Sequence, residues 1–93
     1  MDKKMAERIE DAAKALKAAG ARDVYIFGSA AEGKMTEESD VDLAVSGLPP
    51  AIFFEAMGDA REILKRPLDL IDLDEDNPFT RYLKEEGNLK RVA

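Results

Sequence analysis

Apolar residues recur along the chain at two spacings, one typical of amphipathic helices and the other typical of strands. Helical spacing covers the segment from Lys3 to Ala19 and returns after Pro49-Pro50, a pair that favours a helix start. The apolar positions are Met5, Ile9, Ala12 and Leu16 in the first segment and Phe53, Met57, Ala60 and Leu64 in the second. Each stripe predicts a helix that buries one face, and Gly20 stands where the first helix would end.

Three segments carry the short β-branched or alternating patterns of strands. They are "DVYIFG" at residues 23–28, "DVDLAVS" at 40–46 and "RPLDLIDL" at 66–73. Because side chains alternate along a strand, the second segment has an apolar face and a face that carries two carboxylates. The apolar face consists of Val41, Leu43 and Val45, and the other of Asp40, Asp42 and Ala44. We therefore predict a half-buried strand with Asp40 and Asp42 side by side.

The remaining segments predict a short helical turn at 29–33, a polar loop at 34–39 and an acidic loop at 74–76. A last helix opens at Pro78, capped by Asn77. Its apolar residues are Phe79, Tyr82 and Leu83, and Gly87 ends it. The order helix, strand, short helix, strand, helix, strand, helix predicts an α/β (α+β) fold in a single domain over residues 1–93.

The aromatic residues of the two later helices could lie in the core or in an interface. They are Phe53, Phe54, Phe79 and Tyr82. We expect most of them to lie in the core, because exposed large apolar side chains are the less common case.

Composition limits the kinds of protein to consider. The chain has 93 residues, of which 45% are hydrophobic and 37% charged, and no apolar run is long enough to span a bilayer. The first 20 residues lack the apolar stretch and cleavage site of a signal peptide, so we expect a soluble, cytoplasmic protein.

Charge and residue types restrict the chemistry further. The chain has no Cys and no His, so thiolate and imidazole catalysis, zinc sites of the usual kind and disulfides are excluded. A net charge of −6 disfavours direct binding to nucleic acid. Any catalysis must use carboxylates, and an acidic chain that handles polyphosphate needs divalent cations.

The Asp40 and Asp42 carboxylates form a candidate metal site. Two like charges about 7 Å apart at Cα are costly unless cations lie between them. Mg²⁺ is the natural ion, because it takes carboxylate oxygens together with substrate phosphates, and a pair of such ions can activate an attacking oxygen. The third strand offers one further ligand, Asp69 or Asp72, and its position early in that strand favours Asp69.

The turn at Gly28-Ser29 is a candidate phosphate site. Glycine at the end of a strand permits a tight turn or the close approach of a ligand. Ser29 then offers a hydroxyl and a backbone N–H at the start of a short helix. Phosphoryl and nucleotidyl transfer depend chiefly on positioning and charge neutralisation, so this turn and a carboxylate-bound metal pair would suffice.

The sequence "FGSAAEGKMTEESDVDLAV", with the later "LDL" and "NPFTRYLKEEG", resembles the minimal nucleotidyltransferase family of the polymerase-beta superfamily over essentially the whole chain. The resemblance implies that fold, a small mixed sheet packed by helices. It assigns nucleotide phosphates to Gly28 and Ser29, and two Mg²⁺ ions to Asp40, Asp42 and Asp69. It also implies AMP transfer from ATP to a tyrosine of a HEPN-type toxin, with which the chain would form a hetero-oligomer as the antitoxin.

One position departs from the family pattern Gly-Ser-x-Ala-Arg-Gly, because Glu32 stands where arginine is common. A glutamate there repels the triphosphate, by about 1 to 4 kcal/mol at 4 Å depending on the dielectric. Lys34, Lys65 and Arg66 are candidates for the missing positive charge. The alternative hypothesis is an antitoxin that neutralises its toxin by binding alone.

Overall fold

Two long helices cover one face of a four-stranded sheet. The computed structural model describes residues 3–36 and 38–93, so Met1, Asp2 and Glu37 of the predicted polar loop lie outside the described residues. The helices are α1 (Lys3–Ala18), α2 (Gly28–Ala31), α3 (Phe53–Leu64) and α4 (Pro78–Glu85), with a 3-10 turn at Pro50–Ile52. The strands are β1 (Asp23–Phe27), β2 (Val41–Ser46), β3 (Leu68–Asp72) and β4 (Lys90–Arg91).

The sheet is mixed, in the order β3-β2-β1-β4. Strand β1 pairs antiparallel with β2 and with β4, whereas β2 pairs parallel with β3. The parallel pair requires a crossover, which α3 supplies between the two strands. The predicted α/β fold with a small mixed sheet is therefore confirmed.

The main core lies between the sheet and helices α1 and α3. It buries all three residues of the predicted apolar face of β2, which are Val41, Leu43 and Val45, together with the predicted stripe of α1. A smaller cluster on the opposite face joins α4 to the sheet through Phe27, Ala44, Leu73 and Leu83. The alternation read from the sequence therefore assigns the faces of β2 correctly.

The start of α4 is held by a capping box. The Asn77 side chain accepts a hydrogen bond from the Thr80 backbone N–H at 2.9 Å, and the Thr80 hydroxyl accepts one from the Asn77 N–H at 3.1 Å. Pro78 occupies the first helical position, as predicted. The capping box and Pro78 thus define where α4 begins.

The expectation that most aromatic side chains lie in the core is wrong. Phe54, Phe79 and Tyr82 are exposed by 76%, 47% and 53%, and Phe53 is half-buried. The helical spacing of these residues does not determine whether another element covers them. No helix in the described part of the chain combines the length and apolar character needed to cross a membrane.

Strand β4 is the one strand of the described residues that the sequence analysis missed. It consists of Lys90 and Arg91, which pair with Ile26 and Tyr25. Two exposed basic residues carry no alternation that could predict a strand. The Arg91 guanidinium also forms an ion pair with Asp23, which lowers the pKa of that carboxyl through the hydrogen bond from Arg91.

Candidate functional site

Two of the predicted carboxylates lie side by side on neighbouring strands. The parallel register of β2 and β3 pairs Asp42 with Asp69, and the antiparallel register of β1 and β2 pairs Asp42 with Phe27. Paired residues point to the same face of a sheet, and strands lie about 4.8 Å apart. Phe27, Asp42 and Asp69 therefore form a row across the face opposite α1 and α3.

Electrostatics links this row to Asp40, which precedes the first residue of β2. Partial burial raises the pKa of Asp42, and the negative charges of Asp69 and then Asp40 raise it further. Asp40 and Asp69 are themselves exposed. The three carboxylates are therefore near enough to interact, with Asp42 the least solvated.

The side chains of Asp40, Asp42 and Asp69 are of a type that can bind Mg²⁺. Carboxylate oxygens of like charge on one face are the donors that Mg²⁺ prefers. Within residues 3–36 and 38–93, however, no three acidic side chains converge into a ready-made metal site. The assignment of metal ions to Asp40, Asp42 and Asp69 stays a prediction.

Asp72, the alternative third carboxylate, lies elsewhere. It is paired in register with Val45, three positions further along β3 than Asp69. Its Oδ1 accepts a hydrogen bond from the Asp74 backbone N–H at 2.9 Å. The structure thus places Asp69, and not Asp72, beside Asp42.

Gly28 brings the turn against the carboxylate of Asp42. Its φ is +65°, in the left-handed region, and an added Cβ would overlap Oδ2 of Asp42 and lie 3.3 Å from its Cγ. The sequence analysis predicted a tight turn or a close ligand approach at this glycine. The close neighbour is Asp42 itself, so the turn and the carboxylate form one unit. Ser29 follows at the second position of α2.

The three residues predicted to supply the missing positive charge differ in their contacts. Arg66 donates from Nη1 to the backbone carbonyls of Thr36 at 3.0 Å and Ser39 at 3.1 Å. Arg66 therefore holds the loop that leads into Asp40. The sequence could not predict this positioning role, because Ser39 and Arg66 are 27 residues apart in the chain. Lys34 and Lys65 are exposed.

Glu32 is exposed at the C-terminal end of α2, where its backbone N–H donates to the Gly28 carbonyl at 3.2 Å. The residue that departs from the family pattern thus caps the same short helix that Gly28 begins. Glu32 is therefore part of the same turn as Gly28.

Comparisons with known proteins extend this description. The family model described as polymerase beta, nucleotidyltransferase matches residues 7–89. The chain is similar to a crystal structure of a toxin-antitoxin with AMP-PNP, at a TM-score of 0.71 and 23% identity, over 90% of this chain and 72% of that chain. No curated protein matches the chain.

A second similar structure is the toxin-antitoxin MntA-HpeT, in a mutant with two aspartates, two positions apart, changed to glutamate. Its TM-score is 0.66 and its identity 20%, over 86% of this chain and 67% of that chain. Because both identities are below 25%, these similarities show a shared fold and nothing more.

Proposed function

The chain belongs to the polymerase beta nucleotidyltransferase family, and from this membership we propose that it is a Mg²⁺-dependent nucleotidyltransferase that transfers AMP from ATP to a partner protein. One observation carries the proposal. Asp42 and Asp69 are paired in register, and Gly28 lies directly against the Asp42 carboxylate. A turn suited to phosphate and carboxylates suited to a metal therefore occupy one end of the sheet.

In this proposal, Gly28 and Ser29 bind the phosphates of the nucleotide, while Asp40, Asp42 and Asp69 hold Mg²⁺. Bound Mg²⁺ neutralises phosphate charge and supports attack at phosphorus. A hydroxyl oxygen of the acceptor forms a bond to the α-phosphorus, the bond from that phosphorus to the bridging oxygen breaks, and pyrophosphate leaves. Asp69, which is exposed beside Asp42, takes the proton of the hydroxyl.

The acceptor we propose is a toxin of the HEPN type, bound to this chain as its antitoxin in a cytoplasmic hetero-oligomer. Two similar structures are toxin-antitoxin structures, one of them with the ATP analogue AMP-PNP, which supports ATP as the nucleotide. The other carries substitutions at two aspartates with the same spacing as Asp40 and Asp42. A tyrosine of the toxin is the proposed acceptor.

Glu32 favours a second candidate function, in which the chain neutralises its toxin by binding alone. Glu32 is exposed at the C-terminal end of the four-residue helix that begins at Gly28, where its carboxylate would repel a triphosphate. Arg66 already donates to two loop carbonyls. The two candidate functions differ in whether neutralisation of the toxin requires nucleotidyl transfer.

Label transfer separates them. The protein product of the neighbouring reading frame is incubated with α-³²P-ATP, Mg²⁺ and either the wild type or Asp42→Asn. We expect the wild type to transfer label and Asp42→Asn not to transfer it. Asp11→Asn, which changes an exposed aspartate on α1, is the matched control and should transfer label as the wild type does. If neither protein transfers label but both bind and neutralise the neighbour, the catalytic proposal is wrong and the binding-only function is correct.

A further inference from the structure

A groove of about 320 Å³ lies along the outer edge of β3. Residues from β3, α3 and α4 line it, among them Phe54, Ile71, Asp72, Asn77 and Phe79. The three carboxylates of the candidate site do not line this groove. It is therefore a separate concave surface, of a size typical of small-ligand sites.

The groove wraps around the edge of β3, and two of its lining residues, Ile71 and Phe79, lie on the face of the sheet that carries the candidate site. Ile71 follows Asp69 by two residues along β3, so their side chains share a face about 7 Å apart at Cα. The ring of Phe79 meets that of Phe27 edge-to-face, with centroids 6.3 Å apart. Phe27 is the register partner of Asp42. Phe79 therefore contacts the side chain that lies next to Asp42 in the sheet.

Phe79 is both exposed and held in place. Nearly half of its surface is accessible to solvent. Its backbone lies in the first turn of α4, which the Asn77–Thr80 capping box stabilises. Its edge contact with Phe27 orients the ring. An oriented, accessible aromatic ring beside a phosphate site is what stacking of a nucleobase requires.

We propose that the groove binds the base of the nucleotide, a purine in the case of ATP, with the base stacked on Phe79. This inference rests on the proposed function, because it assumes that the triphosphate lies at Gly28 and the carboxylates. Asp72 and Asn77 add an acceptor and an amide donor to the lining of the groove, since the amide oxygen of Asn77 is already bonded to the Thr80 N–H. These groups suit the polar edge of a base.

Calorimetric titration with Mg²⁺-ATP and with Mg²⁺-tripolyphosphate tests the inference, because tripolyphosphate lacks the base. The variants are Phe79→Leu, which keeps apolar bulk without a ring, and Phe79→Tyr, which keeps the ring. Tyr82→Leu is the matched control, since Tyr82 is a similarly exposed aromatic residue on α4 that does not line the groove. Asp42→Asn reports on the phosphate and metal site.

Phe79→Leu is expected to weaken ATP binding about tenfold and to leave tripolyphosphate binding unchanged. Phe79→Tyr should retain more ATP affinity than Phe79→Leu, because it keeps the ring, and Tyr82→Leu should bind both ligands as the wild type does. Asp42→Asn should weaken both ligands, which would support the proposed site independently of the base.

Unchanged ATP affinity in Phe79→Leu would overturn the inference and leave the proposed function standing. Loss of both ligands in Phe79→Leu would also overturn it, because the ring would then support the site and not the base. If the wild type binds neither ligand, the proposed function fails, and the base site fails with it.

Discussion

The two faces of the sheet differ in what they bury. The face beneath α1 and α3 is fully buried along β2, where Val41, Leu43 and Val45 have no exposed surface. The opposite face is covered by α4 over part of its area and presents Asp42 and Asp69 at the other end. The same strand therefore contributes to the core with one set of side chains and to the candidate site with the other.

Side chains on one face of β2 therefore stabilise the fold, whereas those on the other face are available for binding and catalysis. Apolar side chains beneath the helices stabilise the fold through burial. On the open face, Asp42 is partly buried beside two like charges, which raises its pKa and opposes folding when the group is ionised. Cations bound at the proposed metal site would relieve this unfavourable arrangement. Three substitutions test this comparison, beginning with the largest effect.

Leu43→Ala should lower the free energy of unfolding by about 2–5 kcal/mol, because it leaves a cavity in the fully buried face of β2. Urea unfolding followed by circular dichroism measures the change. Asp42→Asn, at the adjacent position on the opposite face, is the control and should cause no loss of stability at pH 7. Equal destabilisation by both substitutions would contradict the division between the faces.

Gly28→Ala should cost about 1–2 kcal/mol, because a residue with a Cβ is strained at positive φ. Its added Cβ should also displace the Asp42 carboxylate and reduce label transfer more than tenfold, since catalysis depends on position.

Gly33→Ala is the matched control for this effect. Gly33 also has positive φ, +70°, but no atom lies within 4 Å of an added Cβ. It should lose similar stability and keep label transfer, measured by unfolding and by the ³²P assay. If Gly33→Ala loses as much activity as Gly28→Ala, backbone strain and not the Asp42 contact explains the loss.

The smallest effect concerns the pH dependence of Asp42. Because the pKa of Asp42 is raised in the folded state, the folded protein holds this proton more tightly than the unfolded chain does. The contribution of Asp42 to stability therefore falls as pH rises from its ordinary pKa of 3.8 through the raised value.

Asp42→Asn should thus raise Tm at pH 7 by less than Gly28→Ala lowers it, and the gain should disappear below pH 3.8. Thermal unfolding of both proteins at pH 7 and pH 3 measures the difference. A gain of the same size at both pH values would mean that ionisation of Asp42 is not its cause.

The local pattern of residues sufficed for most elements of this fold. Alternation placed Val41 and Leu43 on the covered face and Asp42 on the other, and Asn77-Pro78 marked the start of α4. These features depend on side-chain periodicity and capping, which act over a few residues. The same local information could not show that Phe54 and Phe79 are exposed, because exposure depends on distant elements.

The sequence by itself therefore determined the order of the elements, the faces of β2 and the residue types available for chemistry. Only the tertiary structure decided that Asp42 pairs with Asp69, and that Gly28 lies against the Asp42 carboxylate. It also placed the ring of Phe79 against Phe27. The physical reason is that alternation assigns a side chain to a face, whereas strand register and packing depend on contacts between residues far apart in the chain.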